Sequence, residues 1–165
     1  MTTLHTKYRP ETFKQVIGQG HFIKDLAGML ADRTAHAYLF HGPSGCGKTT
    51  LARISASKLG CNEDDIIEVD GATNNGIENI RQLQQTVRYS PLSGGNTYAV
   101  IIDECHRISG AAFDTMLKVI EEPPPHLFWF FCTTEPQKVP STIRGRCQQF
   151  AVRAVDATNL EGLMA

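Results

Sequence analysis

Ala37-Tyr38-Leu39-Phe40-His41-Gly42-Pro43-Ser44-Gly45-Cys46-Gly47-Lys48-Thr49 passes from an apolar strand into a glycine-rich turn, and a helix-length segment follows from about Lys48 to Leu59. The turn fits the pattern GxxxxGK[ST]. Its glycines let backbone N–H groups curl around phosphates, Lys48 reaches the β- and γ-phosphates, and Thr49 offers its hydroxyl to Mg²⁺. The helix that follows points its positive end at the same anion. A pattern this loose also arises by chance in glycine-containing turns; its place between a strand and a helix is what gives it meaning. The expected ligand is ATP with Mg²⁺, held by Gly42, Pro43, Ser44, Gly45, Cys46, Gly47, Lys48, Thr49 and Thr50.

Outward from this stretch, short apolar runs alternate with helical ones. Ile66–Val69 reads as a second strand. Asn75, with Glu78 three residues on, reads as a capping box over a helix to about Arg88. Tyr98–Asp103 is a third strand, continuously apolar as a strand covered on both faces should be. Ser109 caps a helix to about Glu122, stopped by Pro123–Pro125. Leu127–Thr133 is a fourth strand and Cys147–Val152 a short fifth, while Phe22–Leu30 makes a helix before the first. This alternation predicts an α/β fold, a mostly parallel five-stranded sheet with helices on both faces. Ligands in such sheets sit at the carboxyl ends of the strands.

Bulk composition excludes several classes. The 165 residues suit one domain with a real core, and a net charge of −1 gives no global basic field for nucleic acid. No apolar run reaches membrane-spanning length, and the N-terminal segment lacks the apolar stretch of a secretory signal. The expectation is a cytoplasmic protein with no membrane association. The five cysteines form no CxxC pair, so reduced thiols are expected rather than a disulfide framework or a zinc site.

Asp103-Glu104 closes the third strand. One acid there can hold the water shell of Mg²⁺ and the second can accept a proton from an attacking water. A solvated pair at a strand end is the plainer reading, but the preceding phosphate-binding turn favours chemistry. His106 and Cys105, adjacent in sequence, cannot make a four-ligand site and read as structural. Thr133-Thr134 ends the fourth strand, where a hydroxyl serves either a γ-phosphate or ordinary β-structure. Arg144 and Arg146 flank Gly145 before the last strand; each is either a surface charge or a finger that stabilises transition-state charge on a phosphoryl group.

Together these motifs resemble the AAA+ P-loop ATPase domain of the bacterial clamp-loader subunit gamma/tau of DNA polymerase III. The resemblance is carried by Lys7-Tyr8-Arg9-Pro10 with Phe13, by Val16-Ile17-Gly18-Gln19, by His36–Phe40 leading into the glycine-rich turn, and by Ile67-Glu68-Val69-Asp70. It continues through Ile101–Glu104 with His106, Leu117–Pro124, Thr133–Pro140 and Arg146–Phe150, so that it covers Lys7 to Phe150. It implies that Tyr8, Arg9, Pro10, Val16, Ile17, Gly18 and Gln19 line an adenine pocket. It implies catalytic roles for Lys48, for Asp103 as the Mg²⁺-associated acid with Thr49, for Glu104 as base and for Thr134 as the first sensor. Arg146 would be a finger acting on ATP of a neighbouring subunit.

Three departures stand out. Such domains usually insert a four-cysteine zinc module after the first helix of the nucleotide loop; here only Cys61 lies in that stretch, so zinc binding is not expected. Gly145 stands where a serine precedes the finger arginine, leaving its backbone less constrained. Residues 1–152 are expected to form the nucleotide-binding domain, and 153–165 the start of a helical lid that is otherwise missing. The resemblance implies a motor domain that opens and loads a sliding clamp on primer-template DNA, with other clamp-loader subunits as partners in a pentamer. Asn74, Asn75 and Arg81 are weak DNA-contact candidates. Two other readings remain open: a lid-less structural or regulatory subunit, and another AAA+ DNA motor of the branch-migration helicase type.

Overall fold

The computed structural model describes residues 10–16 and 18–154. Five strands, β1 (Ala37–His41), β2 (Ile66–Asp70), β3 (Tyr98–Asp103), β4 (Leu127–Thr133) and β5 (Gln148–Ala151), form one sheet in the order β2-β3-β4-β1-β5. Every neighbouring pair is parallel. The helices are α1 (Gly20–Asp32), α2 (Lys48–Lys58), α3 (Ile77–Thr86), α4 (Gly110–Glu121) and the short α5 (Ser141–Arg144).

Side-chain alternation assigns the helices to the two faces. In β4, Phe128, Phe130 and Cys132 join the core beneath α1 and α2, whereas Leu127, Trp129 and Phe131 join the core shared with α3, α4 and α5. β1 divides in the same way, Tyr38 and Phe40 against Ala37 and Leu39. The whole of Leu127–Thr133 is buried, which explains why it reads as an apolar run with no polar alternation. Tyr38 stacks on Phe130 at 5.2 Å between ring centroids, and Trp129 on Phe131 at 6.1 Å. α2 presents Ala52, Ser55 and Ala56 to the sheet, and these small residues let it lie close over the strands.

One expectation about caps fails. Asn75 does not cap α3; its Nδ2 donates to the Ala72 carbonyl at 3.4 Å, and Gly76, extended and without a side chain, occupies the N-cap. The Asn75 carbonyl accepts instead from the N–H of Ser109, tying the starts of α3 and α4 together. Ser109 does cap α4, its Oγ accepting from Ala112 N–H at 3.1 Å. β5 is shorter than expected because Cys147 still belongs to the turn that closes on the Arg144 carbonyl. The expected lid falls almost wholly on residues 155–165, outside the described residues.

Candidate functional site

Strand register brings the chemistry to one rim. His41 pairs with Thr133 and Asp70 with Asp103, while Ile102 pairs with Phe131, so β1, β3 and β4 end at nearly the same level. Gly42 N–H extends this by donating to the Thr133 carbonyl at 3.2 Å. A cleft at this rim is lined by Ser44, Gly45, Gly47, Lys48, Thr49, Thr50, Glu68, Asp103 and Glu104. The glycine-rich turn and the Asp103-Glu104 pair, 54 to 62 residues apart in sequence, therefore face each other across β4.

The turn is built for this. Gly45 and Gly47 have φ of +75° and +95°, and Gly47 is the N-cap of α2. That left-handed backbone strains any residue with a Cβ, and both glycines line the cleft. Lys48 is 6% exposed, and its Nζ donates to the carbonyls of Gly42 (2.9 Å) and Pro43 (2.8 Å). A buried ammonium must be satisfied, and here the loop's own carbonyls do it.

Opposite stands Glu104, one of two non-glycine residues with positive φ among the described residues, at +50°. Held strain of this kind collects at functional sites, where surrounding structure over-determines the backbone. The restraint comes from both sides. Glu104 N–H donates to Asp103 Oδ1 at 3.0 Å, and Gly71 lies so close that its N–H donates to the Asp103 carbonyl at 2.8 Å. Burial pushes the Asp103 carboxyl above its ordinary range; the Glu104 amide pulls it back and the Glu104 charge raises it again. Glu68 reaches the cleft from β2 and is paired with Arg53, whose Nη2 lies 2.6 Å from its Oε2.

The donors suit a magnesium–triphosphate. Amides, an ammonium and a threonine hydroxyl face carboxylate oxygens, the hard ligands Mg²⁺ prefers. Among the described residues no three His, Cys, Asp or Glu side chains converge into an all-protein metal cage.

The other expected residues are placed as follows. Thr134 follows β4 and is half-buried beside the rim, while Thr133 is fully buried with its hydroxyl already engaged. Gln19 is 1% exposed and clasps Arg153, donating from Nε2 to its carbonyl and accepting its N–H. Val152 in turn donates to the His41 carbonyl, so Gln19 is tied to the segment beside the glycine-rich turn. Gly18 has φ of +80° and Val16 packs on the core. Pro10 lies along the flank of α2 with Arg53 and Ile54, apart from the residues lining the cleft. Tyr8, Arg9 and Ile17 lie outside the described residues. Arg146 sits before β5, at the amino end of a strand parallel to β1, so it is at the opposite edge from Lys48. Its Nη1 donates to the Thr142 carbonyl at 2.7 Å and its Nη2 pairs with Glu121. Arg144 is spent on structure, its Nε donating to the Val139 carbonyl. Asn74 is held in the turn after β2, while Arg81 is exposed.

Glu68, Gly71 and Glu135 belong to this rim and were given no role from sequence, and His106, which read as structural, stands there too. The one available signal was their position, each at or just beyond the carboxyl half of a predicted strand.

A family model described as DNA polymerase III, delta subunit, matches residues 64–156. The chain is 39% identical to DNA polymerase III subunit tau of Bacillus subtilis over 98% of its own length, and 38% identical to subunit tau of Escherichia coli over 95%. Those alignments cover 32% and 28% of the relatives, so the chain spans about a third of the length of the curated proteins it matches. The first alignment runs over 184 positions, so the relative carries residues that this chain of 165 lacks. Among solved structures, the RuvB Holliday junction branch migration motor of Thermotoga maritima superposes with a TM-score of 0.76 at 24% identity, over 95% of this chain and 52% of that one. A DNA polymerase III gamma subunit-related protein of the same organism gives 0.70 at 22% identity, over 82% and 46%. At such identities these likenesses establish the fold alone, a parallel α/β sheet covered by helices.

Proposed function

The chain belongs to the DNA polymerase III delta-subunit family, as a domain of the gamma/tau type, and from that premise we propose that it is an ATP-binding and hydrolysing motor domain of a replication clamp loader. One observation supports this most: Lys48 and Thr49 face Asp103 and Glu104 across a single cleft at the carboxyl rim. A degenerate, purely structural site has no need to retain all four.

Lys48 and the amides of the glycine-rich turn bind and neutralise phosphate oxygens. Thr49 and Asp103 are the residues that would hold Mg²⁺, which when bound supplies Lewis-acid stabilisation to those oxygens. Glu104 accepts the proton of the attacking water, and Thr134, which directly follows β4, would hydrogen-bond beside it. Arg146 lies at the opposite edge of the sheet from Lys48, which suits an arginine that completes the site of an adjacent subunit. The sliding clamp, primer-template DNA and the other loader subunits are the partners this reading calls for. The likeness to RuvB is one of fold, and the higher identity to tau subunits favours the loader over a branch-migration motor.

The test is ATP turnover by the full-length protein in its assembled complex, with and without clamp and primed DNA. Lys48→Ala is expected to weaken nucleotide binding by tenfold or more, on the scale of one to two charge-assisted hydrogen bonds of about 1.5–3 kcal/mol each. Glu104→Gln is expected to abolish turnover while binding persists. Full turnover in both variants would sink the reading.

A further inference from the structure

We propose that His106 is the positioning residue for Glu104, holding the carboxylate of the base in competition with Glu135; the inference rests on the hydrolytic reading above. His106 reads from sequence as a structural neighbour of Cys105. In the fold its side chain is 5% exposed and stands between the two strand ends that carry the chemistry. Nδ1 lies 2.8 Å from the Thr133 hydroxyl at the end of β4. Nε2 lies 3.5 Å from Glu104 Oε2 and 3.2 Å from Glu135 Oε2.

Hydrogen-bond inventory decides the ring's orientation. The Thr133 hydroxyl already accepts the Glu135 N–H at 2.9 Å, and its single proton is free to go to Nδ1. Two carboxylate oxygens facing Nε2 require a proton on that nitrogen. The ring is anchored on the Thr133 hydroxyl through Nδ1 and presents Nε2–H to both carboxylates. Thr133 is fully buried, so the anchor cannot be exchanged for water.

The two carboxylates are not equivalent. Glu135 also has a cation, with Lys138 Nζ 3.1 Å from its Oε1 holding its carboxyl below the ordinary range. Among the described residues, Glu104 has only the distant edge of Arg107, at 3.9 Å, besides His106. The Glu104 backbone is pinned at a positive φ, which leaves its carboxylate direction to the side chain. His106 thus supplies the fixed contact that aims it, and a base misplaced by about 1 Å loses on the order of 100-fold in rate. Because Glu135 directly follows Thr134, this one ring also links the base to the segment carrying the γ-phosphate hydroxyl.

The experiment uses the full-length protein in its assembled complex. His106→Ala is expected to lower kcat by about 10- to 100-fold with nucleotide Kd within about twofold of wild type. Thr133→Val, which removes the anchor, is expected to reproduce part of that loss, and Thr133→Ser to restore it. Glu135→Gln, which removes the competitor, is expected to raise kcat. Without nucleotide, ¹⁵N-histidine spectra of the full-length protein are expected to show His106 unprotonated at Nδ1 and protonated at Nε2, a state lost in Thr133→Val. Unchanged or raised kcat in His106→Ala, alongside a dead Glu104→Gln, overturns this inference alone. Active Glu104→Gln overturns instead the reading beneath it.

Discussion

Gly71→Ala puts the architecture of the rim to a direct test. A Cβ at Gly71 would lie 2.7 Å from the Glu104 carbonyl oxygen, 2.9 Å from that of Asp103 and 3.2 Å from the Glu104 carbonyl carbon. All three are backbone atoms, so no side chain can swing aside. Carbon–oxygen contacts begin near ~3.3 Å, so the strands must separate by roughly 0.6 Å at this point. Forced overpacking of that kind costs about 1–3 kcal/mol. At about 2–4 °C per kcal/mol for a chain of this size, the expected fall in Tm is about 2–12 °C. The displaced atoms belong to Asp103 and Glu104, the proposed magnesium-associated acid and base, so turnover should fall by about 10- to 100-fold. Nucleotide affinity rests chiefly on the glycine-rich turn and should change by less than about threefold. Calorimetric unfolding, titration calorimetry with ATP and steady-state turnover measure the three quantities on the full-length protein. Lost stability with normal turnover would refute the view that Gly71 sets the Asp103-Glu104 backbone; no change in any of them would refute the close approach itself.

Other variants separate roles that share a surface. Arg146→Ala removes a half-exposed pair with Glu121, so the fold should lose less than about 1 kcal/mol, while ATP turnover by the assembled complex should fall about 10³-fold; undiminished turnover would leave Arg146 a surface charge. Ser109→Ala deletes a real cap and should cost about 0.5–2 kcal/mol in denaturant unfolding, against less than about 0.5 kcal/mol for Asn75→Ala. Equal losses would contradict the cap assignment. Burial pushes the thiols of Cys61 and Cys147 up to about 12 and those of Cys105 and Cys132 well above their ordinary value. Thiolate is then scarce at pH 8, and mass spectrometry should find these four alkylated by iodoacetamide only after unfolding. Rapid modification of native Cys132 would count against the buried fourth strand.

The strands and the glycine-rich turn were legible because their signals are local. Tyr98–Asp103 and Leu127–Thr133 are apolar runs bounded by polar residues, and both match the observed strands end to end. The Asn75 cap failed because capping depends on backbone geometry one residue either way. A Gly-containing turn after Asp70 moved the helix start to Ile77, beyond what the spacing of Asn75 and Glu78 can report. Lys48, Thr49, Asp103 and Glu104, which line one cleft, could be singled out because each follows or ends a strand. His106 read as structural and Glu135 was given no role because a histidine two residues after Glu104 has no meaning until β4 brings Thr133 and Glu135 beside it.

Sequence by itself determined the elements, the alternating architecture and the glycine-rich turn on which the phosphate-binding proposal rests, since these depend on periodicity, glycine conformational freedom and residue type within a few positions. Tertiary structure alone decided which strand ends share a rim, that Gly71 presses on the Asp103-Glu104 backbone, that His106 stands between two carboxylates, and that Arg146 lies at the far edge. Those facts depend on strand order and parallel register, which join residues dozens of positions apart through packing that no local pattern records.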